Sequence, residues 1–245
     1  MDTTHLTLLA LAVGLVAFLY SSVGHAGASG YIAVLTLAGF AAEDIKPTAL
    51  VLNIFVALIG AWQFWRAGHF SWPLFWPFAL LSVPAAAAGG YLKLPPMLFK
   101  PLLGAVLIFS ALRLFSRRAD PAEVAPPSRS TALGVGATIG LLSGLTGTGG
   151  GIFLTPLMLL LRWAQTRPAA AVSALFILVN SVAGLAGFLS RREPLPEFVW
   201  PLAVAAVAGG TIGAHLGSRR FPVRTISLLL AAVLIIAGLK LILTK

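Results

Sequence analysis

Five of the eight residues from Gly144 to Gly151, Gly-Leu-Thr-Gly-Thr-Gly-Gly-Gly, are glycine, in a stretch with no Lys, Arg, Asp or Glu from Thr131 to Leu161. Glycines at Gly147, Gly149, Gly150 and Gly151 point to all sides of a helix, so packing against one neighbour does not account for them. A loop that exposes its backbone does. Such a loop, leading into a helix near Ile152, aims several N–H groups and the positive end of the helix dipole at one point. That is an anion site needing no cationic side chain. Thr146 and Thr148 can add hydroxyls. An earlier stretch, Gly24-His-Ala-Gly-Ala-Ser-Gly30, offers a related set: Gly24, Gly27 and Gly30 for the turn, His25 and Ser29 for polar contact. Two soluble glycine motifs are excluded. A phosphate loop ends in Gly-Lys-Ser/Thr, and no lysine is present; a dinucleotide fingerprint needs glycine where Ile152 stands and an acid about 20 residues later.

Other polar side chains stand in the apolar segments after each glycine stretch: Asn53 and Gln63 after the first, Ser173, Asn180 and Ser181 after the second. Isolated Ser and Thr in membrane helices usually bond their own backbone, so Ser173 and Ser181 read as structural. Asn53, Asn180 and His25 cost more to bury and read as site residues. All seven acids, Asp2, Glu43, Asp44, Asp120, Glu123, Glu193 and Glu197, fall in expected tails or loops. A path lined by amides and hydroxyls without buried carboxylates suits an anion and is a poor cage for Ca²⁺, Zn²⁺ or Mg²⁺. His25 is the one ionisable group placed for a proton relay. No metal or cofactor is expected. Gly140-xxx-Gly144 and Gly209-xxx-Gly213 have the spacing of close helix packing instead.

The surroundings of these residues set the fold class. The chain has 245 residues, 58% of them hydrophobic and 10% charged, far fewer charges than the roughly 25% of a soluble domain. Apolar segments at about 6–22, 30–40, 48–65, 73–92 and 97–115 precede the polar linker SRRADPAEVAPPSRS, and others at about 131–146, 150–161, 168–189, 198–216 and 222–243 follow it. The expectation is an all-α polytopic membrane protein. The net charge of +10 comes from Arg and Lys in short connections and at segment ends, as in loops beside anionic headgroups, rather than from a nucleic-acid surface. Trp62, Trp65, Trp72 and Trp76 read as an interfacial belt. Zero cysteines exclude disulfides and thiolate chemistry. The first segment lacks the basic start of a signal peptide and reads as a retained span.

The two halves share one rhythm. Residues 24–30 align with 144–150, Lys46-Pro47 with Arg167-Pro168, Trp76-Pro77 with Trp200-Pro201, and ALRLF at 111–115 with GLKLI at 238–242. The reading is two pseudo-symmetric repeats, 1–115 and 131–245, joined by a polar linker at 116–130. Glycine-interrupted segments at matching positions mark the binding site of many duplicated carriers. The charge-free runs from Leu6 to Phe40 and from Thr131 to Leu161 are too long for one span and too short for two with a loop. Each therefore suits a crossing followed by a broken half-helix. That leaves about 8–10 transmembrane segments: ten with inverted repeats if the half-helix crosses, eight with parallel repeats if it dips in and returns.

Gly-Thr-Gly-Gly-Gly-Ile-Phe-Leu-Thr-Pro at 147–156, the Arg-Pro with AAAVSALFILVNSVAG at 167–184, and the degenerate first-half copy resemble the sulfite exporter TauE/SafE family of bacterial membrane permeases. The resemblance covers nearly the whole chain. It implies movement of sulfite, sulfonates such as sulfoacetate, or related small sulfur-containing or organic anions, with Gly147, Gly149, Gly150, Gly151 and Pro156 carrying the motif. The first half departs from the pattern: His25, Ala28 and Ser29 stand where a triple-glycine run is expected, and Thr36 stands opposite Pro156.

The functional expectation is a secondary carrier of a small anion in the bacterial inner membrane, working by alternating access, and not an enzyme. Its partners would be the anion, membrane lipids and a coupling proton or Na⁺, with a homodimer open and no nucleic acid. The alternatives are an anion channel with the same loops as its filter, or the membrane anchor of a complex.

Overall fold

A computed structural model of the chain describes residues 3–22, 25–93, 95–115, 123–217, 234–236, 238–239 and 242–243. Its helices in chain order are α1 (Thr3–Ser22), α2 (Ala28–Leu37), α3 (Ala42–Arg66), α4 (Trp72–Tyr91) and α5 (Pro96–Phe115), then α6 (Arg129–Thr146), α7 (Gly151–Leu160), α8 (Thr166–Leu189) and α9 (Val199–Gly217). Most of the last expected segment, 222–243, lies outside the described residues. Among the described residues four helices are long and apolar enough to cross a membrane, α1, α3, α4 and α8, and shorter apolar helices accompany them.

Both long charge-free runs are broken at glycine. Gly27, with φ 99°, starts α2; Gly147, with φ 80°, ends α6; Gly150, with φ 83°, starts α7. L-residues with a Cβ rarely adopt this left-handed region, so the breaks are written into residue type. Helix α3 starts earlier than the apolar run suggests, taking in Glu43, Asp44, Lys46 and Pro47. Acids in a first turn favour the helix dipole, and Pro47, the sixth residue of the helix, gives up the one bond an N–H there would make to the Glu43 carbonyl. Helix α6 begins at Arg129, so the end of the expected 116–130 linker is already helical; Ser128 caps it, accepting from the Thr131 amide.

The helices pack in a crossed pattern. Helix α4 lies on α6 and α1 on α9, while α3 and α8 pack on each other in the middle. Small residues make the two outer pairs possible. A methyl on Gly136, Gly140 or Gly144 would lie 2.1, 2.3 or 2.1 Å from the carbonyl oxygens of Phe78, Ser82 and Ala86. A methyl on Gly209 or Gly213 would lie 2.0 or 2.1 Å from those of Gly14 and Phe18. The packing expected of Gly140-xxx-Gly144 and Gly209-xxx-Gly213 is therefore found. In both pairs the contacts advance together along the two chains, so α4 runs parallel to α6 and α1 to α9.

Charged residues mark one end of the bundle. Lys93, after α4, sits 3.8 Å from Glu43 of α3 and 3.5 Å from Glu193, after α8. The start of α3 and the ends of α4 and α8 thus share an end, and α3 and α8 run antiparallel. At the opposite end, the Ala125 amide donates to the Arg162 carbonyl at 2.8 Å, and Trp163 lies against Phe78 with ring centroids 5.8 Å apart. Helix α7 therefore returns to the end at which α6 began, and α6 and α7 form a hairpin whose bend is the glycine loop.

Candidate functional site

Depth in the bundle can be read along α3. A methyl on Gly147 would touch the Lys46 carbonyl at 2.9 Å, whereas one on Gly149 would touch Asn53, about 10 Å further along the helix. The loop thus drops inward over two residues, and the ten residues of α7 carry the chain back out. Gly149 and Gly150 both hold positive φ, 74° and 83°. The amides of Gly149, Gly150, Gly151 and Ile152 donate to no backbone or side-chain oxygen among the described residues.

The space at Gly149 is closely defined. A Cβ there would lie 2.7 Å from Ile177 Cγ2, 2.9 Å from Asn53 Nδ2 and 3.0 Å from Ser181 Oγ. Asn53 and Ser181 are both 0% exposed. Asn53 Nδ2, Asn53 Oδ1 and Ser181 Oγ have no hydrogen-bond partner. An unpaired buried amide or hydroxyl costs about 1–3 kcal/mol. Two of these atoms, Asn53 Nδ2 and Ser181 Oγ, pack against Gly149 so closely that even a methyl there would crowd them.

Hydroxyls elsewhere in the bundle are of two kinds: those of Ser21, Thr48 and Ser143 are buried without a partner among the described residues, as that of Ser181 is, and others bond the backbone of their own helix. Ser110 donates to Val106 O at 2.6 Å, Thr138 to Gly134 O at 3.0 Å and Thr211 to Val207 O at 2.7 Å. Each makes the back-bond usual in apolar helices. Ser181 does not, so its hydroxyl stays available.

The other expected site residues fall into place unevenly. Asn180 is buried, but Ser82 Oγ donates to its Oδ1 and its Nδ2 donates to Phe176 O at 2.9 Å. Thr146 Oγ1 donates to Leu142 O at 2.7 Å and lies 3.0 Å from Thr148 Oγ1. Its own proton is spent, so Thr148 is the donor of that pair. The Gly147 amide donates to Ser143 O at 2.8 Å as the cap of α6. Gly150 and Gly151 are held against Phe176 and Ile177, with 2.8 and 2.4 Å left for a Cβ. In the first loop, Ser29 Oγ pairs with Tyr20 OH at 2.8 Å, and Tyr31 OH, which donates to Ala26 O at 2.9 Å, crowds Gly27. Gly30 packs on Val16 and Tyr20. The His25 amide donates to Tyr20 O at 2.9 Å, and its ring is half-buried. Gly24 lies outside the described residues.

Two residues that sequence reasoning passed over take part. Ser181 was outweighed by its neighbour Asn180, and its approach to Gly149 from another helix has no sequence signal. Lys46 is 6% exposed and donates from Nζ to the carbonyls of Gly89, Gly90 and Leu92 at 2.9, 2.9 and 3.2 Å. It caps α4, whose last carbonyls lack partners within the helix, while its own carbonyl braces Gly147. The pairing of Lys46-Pro47 with Arg167-Pro168 was its only trace in the sequence.

A cavity of 390 Å³ lies elsewhere, lined by Leu74, Pro77, Pro126, Pro127, Trp163 and Pro168 among others. Pro168 is about 20 Å along α8 from Ser181, so this apolar cavity is separate from the polar site. Among the described residues no group of three or more His, Cys, Asp or Glu is placed to hold a metal ion.

The profile of the sulfite exporter TauE/SafE family matches residues 9–241. A probable membrane transporter protein of Sinorhizobium fredii, y4hK, is 43% identical over 99% of this chain and 100% of its own length. The probable membrane transporter protein YjnA of Bacillus subtilis is 27% identical, covering 89% of this chain and 92% of its own. No solved structure matches the chain significantly.

Proposed function

Because the chain belongs to the sulfite exporter TauE/SafE family, and is thus a multi-pass membrane transporter rather than an enzyme, we propose that it carries a small anion across the bacterial inner membrane by alternating access. The observation that carries this reading is that two unpaired buried donors, Asn53 Nδ2 and Ser181 Oγ, lie against Gly149. Asn53 Nδ2, the Ser181 hydroxyl and the amides of Gly149 to Ile152 are all donors, and the N-terminus of α7 adds its positive dipole end. Donors without a fixed cation bind an anion loosely enough to release it, which a carrier needs. The family description makes sulfite and related sulfur oxyanions the first substrates to try.

Two inverted repeats are part of the proposal. Helices α6 to α9 have 18, 10, 24 and 19 residues, against 20, 10, 25 and 20 for α1 to α4. Antiparallel α3 and α8 and the reciprocal pairs α1–α9 and α4–α6 support a ten-segment, inverted arrangement over an eight-segment, parallel one. His25 is the candidate for a coupling proton.

The test is uptake of radiolabelled sulfite into proteoliposomes, with Gly149→Val as the comparison. Expected is saturable flux, stimulated by unlabelled sulfite inside and lost in a variant that still elutes as a folded particle. Full flux through Gly149→Val would remove the loop from the mechanism, and single-channel currents would replace the carrier by a channel.

A further inference from the structure

We infer that the site at Gly149 selects a singly charged anion that itself carries a hydrogen-bond donor; this rests on the anion reading above and narrows it. The argument begins with the carboxamide of Asn53, unpaired at both Nδ2 and Oδ1 and wholly buried. The amide carries two N–H donors and one carbonyl acceptor on a single carbon, and its Nδ2 lies 2.9 Å from a Cβ built on Gly149. A ligand with acceptors alone would satisfy the N–H groups, Ser181 and the loop amides. It would also leave the Asn53 oxygen without a donor in an apolar interior. That oxygen would then face a negative charge. A ligand bearing an O–H or N–H pairs with it.

Thr148 adds to the same demand. Its proton goes to Thr146 Oγ1, so its buried hydroxyl, next in the chain to Gly149, can only accept from a further partner.

The charge limit comes from the surroundings. The groups nearest a Cβ on Gly149 are the neutral Ile177, Asn53 and Ser181. The nearby ammonium of Lys46 is spent on three carbonyls at the end of α4. The N-terminus of α7 adds about half a positive charge, which favours one negative charge and falls short of two. Nothing there balances a second negative charge in a medium that screens it poorly. The chemical class is therefore a monoanionic oxyanion with a donor: a protonated inorganic oxyanion, or a sulfonate or carboxylate with an amino or hydroxyl group close to the charged end.

Three probes of similar size separate the terms. Sulfamate is a monoanion with N–H donors, methanesulfonate a monoanion of like shape without one, and sulfate a dianion without one. Apparent affinities come from the concentration dependence of the melting temperature of the purified protein, on the wild type, Asn53→Leu and Ser181→Ala. Expected is sulfamate binding at least about tenfold tighter than methanesulfonate, since a buried acceptor left unpaired discriminates at this level, with sulfate weaker than sulfamate. In Asn53→Leu the sulfamate preference shrinks markedly but stays above onefold, because Thr148 still accepts from the donor, while Ser181→Ala weakens both monoanions and keeps the preference. Equal binding of sulfamate and methanesulfonate by the wild type overturns the donor requirement and leaves the anion site standing. Sulfate binding as tightly as sulfamate overturns the charge limit. Failure of sulfamate, methanesulfonate, sulfate and sulfite alike removes the anion site and this inference with it.

Discussion

Asn53 and Asn180 are the same residue type, both 0% exposed, and should respond to Leu in opposite directions. Asn53 has no partner on either amide atom, so replacing it removes an unpaired buried group that costs about 1–3 kcal/mol. Leucine has the same branching, and its extra volume beside Gly149 takes back up to about 1 kcal/mol. The net is a stabilisation of about 1–2 kcal/mol, or about 2–8 °C for a chain of this length. Asn180 accepts from Ser82 and donates to Phe176 O. Asn180→Leu loses both bonds and leaves the Ser82 hydroxyl buried without an acceptor, a loss of about 1–3 kcal/mol and a fall of about 2–12 °C. Tryptophan-fluorescence melting of both variants in one detergent, free of oxyanion buffers, reads the two shifts. Transport in liposomes then separates stability from function: Asn53→Leu should melt higher and carry nothing. If Asn53→Leu melts as low as Asn180→Leu, Asn53 is an ordinary structural amide. The case for a ligand at Gly149 then collapses.

Two further substitutions test the frame around the site. Gly140→Val puts a branched side chain where a methyl already falls 2.3 Å from the Ser82 carbonyl of α4; a rigid backbone contact leaves only helix separation, so a melting-temperature loss corresponding to at least about 2 kcal/mol is expected, and an unchanged value would mean α4 and α6 do not pack this closely. Lys46→Met keeps the length of the side chain but leaves the Gly89, Gly90 and Leu92 carbonyls uncapped; it should destabilise by about 1–3 kcal/mol and raise hydrogen exchange at the end of α4, whereas a neutral result would make the buried ammonium incidental.

How much of this the sequence discloses depends on the range of the interaction. The helix breaks are local, set by consecutive glycines at positive φ, and were readable at Gly147 to Gly151. The packing glycines were readable too, because a four-residue spacing already describes a helix face. What was not readable depends on elements far apart in the chain. Asn180 outranks Ser181 by residue type, since an amide costs more to bury than a hydroxyl. The adjacent positions point in directions about 100° apart on a helix, and what lies opposite decides. Ser82 of α4 meets Asn180, and Gly149 meets Ser181. Lys46 looked like the edge of an apolar segment, because the carbonyls that receive it come from the far end of another helix.

The two glycine stretches are unequal, and the inequality bears on how a carrier with one bound anion would move. The first loop spends its polar capacity on nearby residues: Ser29 on Tyr20, Tyr31 on Ala26, and Gly30 on the packing of Val16 and Tyr20. The second loop leaves its amides open and borrows Asn53 from the other half of the chain. A ligand held by Gly149, Ser181 and Asn53 together thus bridges α8 to α3, the two antiparallel helices at the centre. It binds one arrangement of those helices better than another, and only such a difference in affinity lets a substrate bias a conformational equilibrium. Had Asn180 been the ligand-binding amide, loop and side chain would have come from one half, and binding would have had little hold on the relative position of the two. The flux expected to vanish in Asn53→Leu is therefore the point at which site chemistry and transport mechanism meet, since that variant removes the only one of these three contacts that comes from the first half.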